Sequence, residues 1–358
     1  MHKGLQSVIT AVDADVPVLV IGEPGVGKTA MIETTLPEMR GMHVETVIVS
    51  IRDITDISGL PVVREDGISM APPSFIRRVK EAHARTGKPV VIFWDELSTA
   101  PPTCQAGVLR VINEKWCGDE HIPYVRHVAA MNPPHTSAGG GELTAPLANR
   151  LLHVNWSVDV AGWLDWALPR SAHHMTVAGF IRGKAQALLQ VPKEESKLGT
   201  AWPSPRTWDM AAKLQGANQF GTDAEIALVA GCVGEGMAIE YLNWRNALDL
   251  PDPEDLLKNP AAFKVPERGD VTFTVLASVA NAVVEKMTKE RYLAAWKIFE
   301  KAALANKQDV ATAVVSRLVR GAMGKEFMGQ KDVRDALRTV IAPFTALLTA
   351  AGIMPVAK

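Results

Sequence analysis

Cysteine is scarce in this chain: 358 residues carry three, Cys104, Cys117 and Cys232. None stands at Cys-x-x-Cys spacing, so no paired-cysteine metal or redox motif is present. An odd, small number points to a reducing compartment, the cytoplasm, rather than a disulfide framework. An excess of charge of either sign is missing too. The formal net charge is −1, so no global field draws the chain to nucleic acid or to an anionic membrane. No run reaches the roughly 18 consecutive apolar residues of a membrane-spanning helix. The opening "MHKGLQSVITAVDAD" lacks a long apolar stretch and meets Asp13 and Asp15 early, so a secretion signal is not expected. No internal repeat, low-complexity tract or charge run interrupts the chain. What remains is ordinary globular composition, 47% hydrophobic and 22% charged, with length enough for two domains.

The first half alternates strand and helix signals. "VPVLVIG" (16–22), "HVETVIVSI" (43–51), "PVVIFWDE" (89–96), "VRHVAAMN" (125–132) and "LLHVNW" (151–156) are short apolar, β-branched runs. Helical stretches such as "SFIRRVKEAHART" and "CQAGVLRVINEK" lie between them. That alternation predicts an α/β fold with a five-stranded parallel sheet covered on both faces. The second half carries almost only three- and four-residue apolar spacing, which predicts helices. Its last segment shows Val333, Leu337, Val340, Ile341, Phe344 and Leu348. The expected division is residues 1–190 as a nucleotide-binding α/β domain and 191–358 as helical.

The stretch "GEPGVGKTA" comprises Gly22, Glu23, Pro24, Gly25, Val26, Gly27, Lys28, Thr29 and Ala30. It matches G-x-x-x-x-G-K-[ST] between an expected strand and an expected helix, the context a phosphate cradle requires. Glycines let the backbone fold round an anion without Cβ clashes. Successive N–H groups and the helix N-terminus then face the phosphates. Lys28 supplies a point charge to the β and γ phosphates of ATP, and the Thr29 hydroxyl a ligand for Mg²⁺. The other reading is a glycine turn before a helix.

"VVIFWDE" ends an apolar strand on Asp95 and Glu96. Asp95 at the tip suits Mg²⁺ held through water, and Glu96 suits a base that takes a proton from, or orients, the attacking water. An acidic pair here also reads as a cap of the next helix. Asn132 ends another expected strand, at the carboxyl edge where ligands bind in such folds. There it would share the orientation of the water with Glu96, although "MNPP" by itself reads first as a turn signal. In residues 59–72, Asp66-Gly67 between short apolar runs signals a hairpin. His173-His174 lacks a further ligand at metal spacing and reads as exposed loop histidines. Trp156, Trp163 and Trp166 read as core and junction packing, with a peptide-binding surface as the alternative. "FIRRVKEAHAR" reads as a solvated helix face, and no serine–histidine–acid arrangement is visible.

Taken in order, "GEPGVGKT", "DISGLPVVREDG", "VIFWDELSTAPPTCQAGVLRVINE", "MNPP", "APLANRLL" and "WPSPRTW" resemble the MoxR-like branch of the AAA+ ATPases. The likeness is dense over residues 16–156 and loose beyond Leu214. It implies a P-loop AAA+ core followed by an all-α lid and C-terminal helices. It implies Lys28 and Thr29 as the Walker A pair, Asp95 and Glu96 as Walker B, and Asn132 as the sensor 1 residue. Arg150 in "LANRL" looks like the arginine finger that reaches a neighbouring subunit's ATP. Arg206 in "SPRTW" looks like the sensor 2 arginine. From the residues alone, Arg150 also reads as a surface arginine ending a helix, and Arg206 as an exposed first-turn arginine after Pro205. The family usually writes Asn-Arg where this chain has Ser98-Thr99, so those two positions inherit no role.

The resemblance further implies a hairpin insert near the ring pore, read here as residues 60–71. It implies a homo-oligomeric ring, most simply a hexamer, and ATP with Mg²⁺ at its subunit junctions. A partner with a von Willebrand factor A domain is implied, with chaperone-like remodelling of a protein complex. The alternatives are a DNA-acting AAA+ motor, against which the absence of net positive charge counts, and a nucleotide-gated scaffold with little turnover. Nucleic acid and membrane are not expected partners.

Overall fold

A computed structural model describes residues 3–65, 67–136, 142–323 and 325–345. They form two compact units: Met1–Asp159 with Val191–Gly199 and Ser204–Arg206, and Val160–Gln190 with Thr200–Pro203 and Thr207–Lys358. Residues 160–190, grouped from sequence with the nucleotide domain, thus pack within the second unit.

The strands of the first unit are β1 (Val18–Ile21), β2 (His43–Ile48), β3 (Leu60–Arg64), β4 (Gly67–Ala71), β5 (Val90–Asp95), β6 (Trp116–Cys117), β7 (Glu120–His121), β8 (Val125–Met131) and β9 (Leu152–Asn155). Five of them build one sheet in the order β2-β5-β8-β1-β9, and every pairing in it is parallel. Runs such as Val90 to Trp94 are apolar at every position because both faces of the sheet are covered. Trp94 shows why. One side of its ring meets Phe75 edge-on at 6.0 Å, and its Nε1 donates to His127 Nδ1 at 3.3 Å. His127 is fully enclosed, and burial keeps its imidazole neutral, well below its ordinary pKa.

Parallel strands need crossovers, and the helices Lys28–Arg40, Ser74–Thr86 and Pro102–Glu114 supply them. All five strands therefore point the same way. Gly22, Asp95 and Asn132 gather at one edge, where β8 lies between β1 and β5. The hairpin forms as β3 against β4, antiparallel, with Val63 opposite Ile68 and Arg64 opposite Gly67. Asp66 of its turn lies outside the described residues.

The second unit is helical. Its longer helices include Val160–Ala167, Ala172–Gly183, Thr222–Val233, Glu235–Asn246, Gly269–Glu285, Lys289–Leu304 and Gln308–Ala322. Phe180, Trp208, Tyr241 and Trp244 form an aromatic cluster at ring separations of 5.4–6.3 Å. Gly179 is needed because a Cβ there would fall 2.1 Å from Thr274 Oγ1 of the crossing helix. The expected last helix appears as Lys331–Ile341, while Leu348 lies outside the described residues.

Two sequence readings are corrected in this unit. His173 and His174 are helical rather than exposed loop residues, and His174 is buried. A serine–histidine–acid line does exist. Ser171 Oγ lies 2.7 Å from His174 Nδ1, and His174 Nε2 lies 2.9 Å from Asp209 Oδ1. Asp209 is a carboxylate and only accepts, so Nε2 carries the proton and the serine hydroxyl donates to Nδ1. Ser171 is also the N-cap of helix Ala172–Gly183, accepting from His174 N. The line therefore ties a helix start to the helix that carries Asp209. Burial pushes the Asp209 carboxyl up, but hydrogen bonds from Lys213 and His174 outweigh it and hold the group below its usual range. Of the tryptophans, Trp156 and Trp163 are buried, whereas Trp166 is partly exposed with the Arg170 guanidinium 3.8 Å above its ring.

Candidate nucleotide site

The loop between β1 and helix Lys28–Arg40 is shaped by three glycines with different duties. At Gly22 a Cβ would fall 2.6 Å from the Trp156 carbonyl oxygen, so the loop leaves the sheet only if that position is bare. Gly25 adopts φ +79°, and a Cβ there would meet Ser204 Oγ at 2.6 Å. Gly27, at φ +89°, caps the helix without a side chain, and open space lies where its Cβ would be. The first helical N–H groups are thus left without a side-chain cap, as an anion site requires.

Lys28 is buried at the start of that helix. Its Nζ donates to the Gly22 carbonyl at 2.6 Å, the Glu23 carbonyl at 3.0 Å and Asn132 Oδ1 at 2.9 Å. Burial pulls its pKa down to about 8; Arg206 acts in the same direction, and the charges of Asp95 and Glu23 oppose it. The ammonium is held by neutral oxygens and forms no ion pair among the described residues, so an incoming phosphate would gain a strong partner. One turn of chemistry away, Thr29 Oγ1 donates to Asp95 Oδ2 at 2.8 Å. A hydroxyl and a carboxylate in contact at the mouth of a phosphate loop are a donor set for Mg²⁺, whose hard charge prefers oxygen ligands. The residues present therefore fit both ATP and Mg²⁺.

Glu96 follows the tip of β5 in a left-handed conformation, φ +56°. Its backbone N–H donates to Asp95 Oδ1 at 2.9 Å, and the Thr99 hydroxyl donates to its carbonyl at 2.8 Å. Its carboxylate accepts a short hydrogen bond from Ser50. Ser50 was not singled out from the sequence. Only the pairing of Ile48 with Asp95 reveals that the turn after β2 lies alongside the turn after β5.

The two arginines differ. Arg206 is the second residue of helix Pro205–Ala217. Its backbone N–H donates to the Gly25 carbonyl at 3.1 Å, which places the helix start against the loop. Arg150 is exposed, and its guanidinium donates to the Pro146 carbonyl at 2.9 Å. It makes no ion pair or hydrogen bond with the loop among the described residues. The structure thus brings together Lys28, Thr29, Asp95 and Asn132, sets Glu96 and Arg206 beside them, and leaves Arg150 apart.

Two further residues were missed. The Glu23 carboxylate accepts from His135 Nε2 and from Thr136 Oγ1, each at 2.9 Å. Neither partner belongs to a motif, and no sequence signal pairs them with Glu23. Among the described residues no group of three or more His, Cys, Asp or Glu forms a separate metal cluster, and no helix is long and apolar enough to cross a membrane.

Residues 17–151 match the AAA domain of the dynein-related subfamily. No curated protein is significantly similar to the chain. Similar solved structures include a RuvB mutant of Thermotoga maritima, 12% identical over 73% of this chain and 78% of that one, with TM-score 0.35. They also include ADP-bound NtrX of Brucella abortus, 12% identical over 94% of this chain and 67% of that one, with TM-score 0.38. The first unit is an α/β P-loop AAA+ core, carried on the segment that matches an AAA domain, and the rest of the chain is largely helical.

Proposed function

We propose that this chain is a MoxR-like AAA+ ATPase of the cytoplasm, assembled as a homo-oligomeric ring, most simply a hexamer. It would bind ATP with Mg²⁺ and use hydrolysis to remodel or assemble a partner complex, with a von Willebrand factor A domain protein as the expected partner. The observation that carries the reading is the set of four contacts at the sheet edge: Lys28 Nζ on the Gly22 and Glu23 carbonyls and Asn132, and Thr29 on Asp95.

In this reading the loop N–H groups and Lys28 hold the β and γ phosphates. Thr29 and Asp95 would hold Mg²⁺, which neutralises charge on the phosphate oxygens when bound. Asn132 exchanges its contact with Lys28 for one with the γ-phosphate or the attacking water. Glu96 leaves Ser50 to orient that water and accept its proton. Arg206 stands at the loop, and the exposed Arg150 is free to serve a neighbouring subunit. An arginine supplied in that way is worth about 10³ to 10⁵ in rate in comparable systems. Loss of the γ-phosphate removes contacts that distinguish the two nucleotide states, which a conformational switch needs. The helical second part would be the lid and C-terminal region, and the exposed hairpin would touch the substrate protein.

The test is steady-state ATP hydrolysis over a wide range of protein concentration. A specific rate that climbs as the chains associate is expected if sites are completed between subunits. An absence of Mg²⁺-dependent turnover at every concentration, with nucleotide still bound, would turn the reading towards a nucleotide-gated scaffold. Turnover stimulated by DNA, with salt-sensitive DNA binding, would turn it towards a nucleic-acid motor.

A further inference from the structure

A carboxylate inside a phosphate loop is electrostatically adverse, since it repels the anion the loop receives. Glu23 stands there all the same, and its side chain turns to the segment after β8. Both donors to it, His135 Nε2 and Thr136 Oγ1 at 2.9 Å, come from the short turn Pro134–Thr136. The carboxylate only accepts, so His135 Nε2 carries a proton and the Thr136 hydroxyl points at Glu23. The turn is also closed on itself, with Thr136 N donating to the Pro133 carbonyl at 3.0 Å.

Pro133 stands between that turn and Asn132, and Pro134 opens the turn. Each proline locks its own φ and holds the preceding residue extended. Asn132 to Thr136 is therefore a stiff piece of backbone, and fixing its far end fixes the carboxamide at its near end. The near end has one side-chain tie to the loop, Lys28 Nζ to Asn132 Oδ1 at 2.9 Å. A bound phosphate competes for Lys28 and loosens that tie, but the two bonds to Glu23 do not involve Lys28.

Resting on the ATPase reading above, we propose that Glu23 is a positioning residue: its clasp on His135 and Thr136 holds Asn132 at the γ-phosphate once Lys28 has turned to the nucleotide. The carboxylate is kept in the loop for what it grips, not for contact with ATP.

The experiment compares Glu23→Ala, Glu23→Gln, Thr136→Val and Thr136→Ser, the first also in an Asn132→Ala background. ATP and ADP affinities are measured by calorimetry and turnover by phosphate release. Glu23→Ala is expected to lower kcat about 10-fold or more, as displaced reacting groups do, and to reduce the preference for ATP over ADP. ADP affinity should hold within about twofold, which shows that the loop is folded, because the β-phosphate contacts do not use the clasp. Glu23→Gln and Thr136→Val should show smaller losses in the same direction, and Thr136→Ser should match the parent. In the Asn132→Ala background, Glu23→Ala should cost nothing more, since its effect passes through Asn132.

Tighter ATP binding with kcat unchanged in Glu23→Ala would mean the carboxylate only repels phosphate, and would overturn the clasp. So would losses that simply multiply in the double variant. The ATP-over-ADP preference reads the clasp even where turnover is slow. A parent protein that binds no nucleotide is a different outcome: it sinks the ATPase reading itself, and the clasp with it.

Discussion

Lys28 is the residue on which the candidate site turns, and its environment makes two predictions. Lys28→Ala should abolish measurable ATP binding, because the loop sequence itself carries no other side-chain cation; calorimetry checks it. The parent should show a pH signature of the same ammonium. In the free protein Lys28 loses its proton through about pH 8, and a bound phosphate must raise that value. The bound state then holds the proton to higher pH. Affinity should stay level below about pH 7 and fall as pH rises through 8, by up to about tenfold per unit. A flat affinity from pH 7 to 9.5 would mean that Lys28 does not meet the phosphates. For folding the sign is the reverse. A lysine depressed below its unfolded value carries its burial cost at low pH and sheds it as pH rises past 8. Glu96 makes the complementary case. Glu96→Gln should bind ATP yet hydrolyse it about 10² to 10⁴ more slowly; single-turnover hydrolysis on bound ATP measures this, and full activity would assign the water to another residue.

At the scale of elements, the phosphate loop and the hairpin are opposites. The loop is over-determined: Gly25 sits at φ +79° with Ser204 against it. Gly25→Ala should cost about 1–3 kcal/mol of stability through left-handed strain alone, more with the Ser204 clash, and should weaken ATP binding. Thermal melts and calorimetry report the two effects separately. The hairpin is permissive. Val63 is 83% and Ile68 75% exposed, so Val63→Ser with Ile68→Ser should leave stability within about 0.5 kcal/mol per site. A larger drop in the melting midpoint would show that this pair is packed in solution. Exposure of two apolar side chains opposite each other on adjacent strands supports contact with another protein.

For the whole molecule, Arg150 decides between a self-sufficient site and a shared one. It is exposed and bonded only to its own turn among the described residues, so in the proposed ring a subunit would supply its own Lys28, Asp95 and Glu96 and offer its arginine outward. Arg150→Ala should lose activity alone and regain part of it when mixed with Glu96→Gln, because an assembled pair then contains one intact junction. No recovery at any mixing ratio would argue that Arg150 acts within its own chain, or not at all. The same mixture analysed by size exclusion would show whether assembly itself survives.

How much of this was legible in the sequence follows from what each feature depends on. The five strands, the helical second half, the phosphate loop and the tips at Asp95 and Asn132 were readable because each is encoded locally. An apolar β-branched run, a three-to-four spacing or a Gly-x-x-x-x-Gly-Lys-Thr stretch needs nothing distant to be recognised. The strand order β2-β5-β8-β1-β9 was not readable, and much follows from it. Placing β8 between β1 and β5 is what brings Asn132 to Lys28. The pairing of β2 with β5 is what sets Ser50 on Glu96. The Glu23 clasp, the serine–histidine–aspartate line at Ser171 and the packing of residues 160–190 with the helical unit likewise join residues far apart in the chain. By itself the sequence determined which residues have the types and short spacing on which the proposed phosphate and metal chemistry rests. Tertiary structure alone decided which side chains hold them in place, because those contacts exist only after distant segments have been paid for in chain entropy and packed.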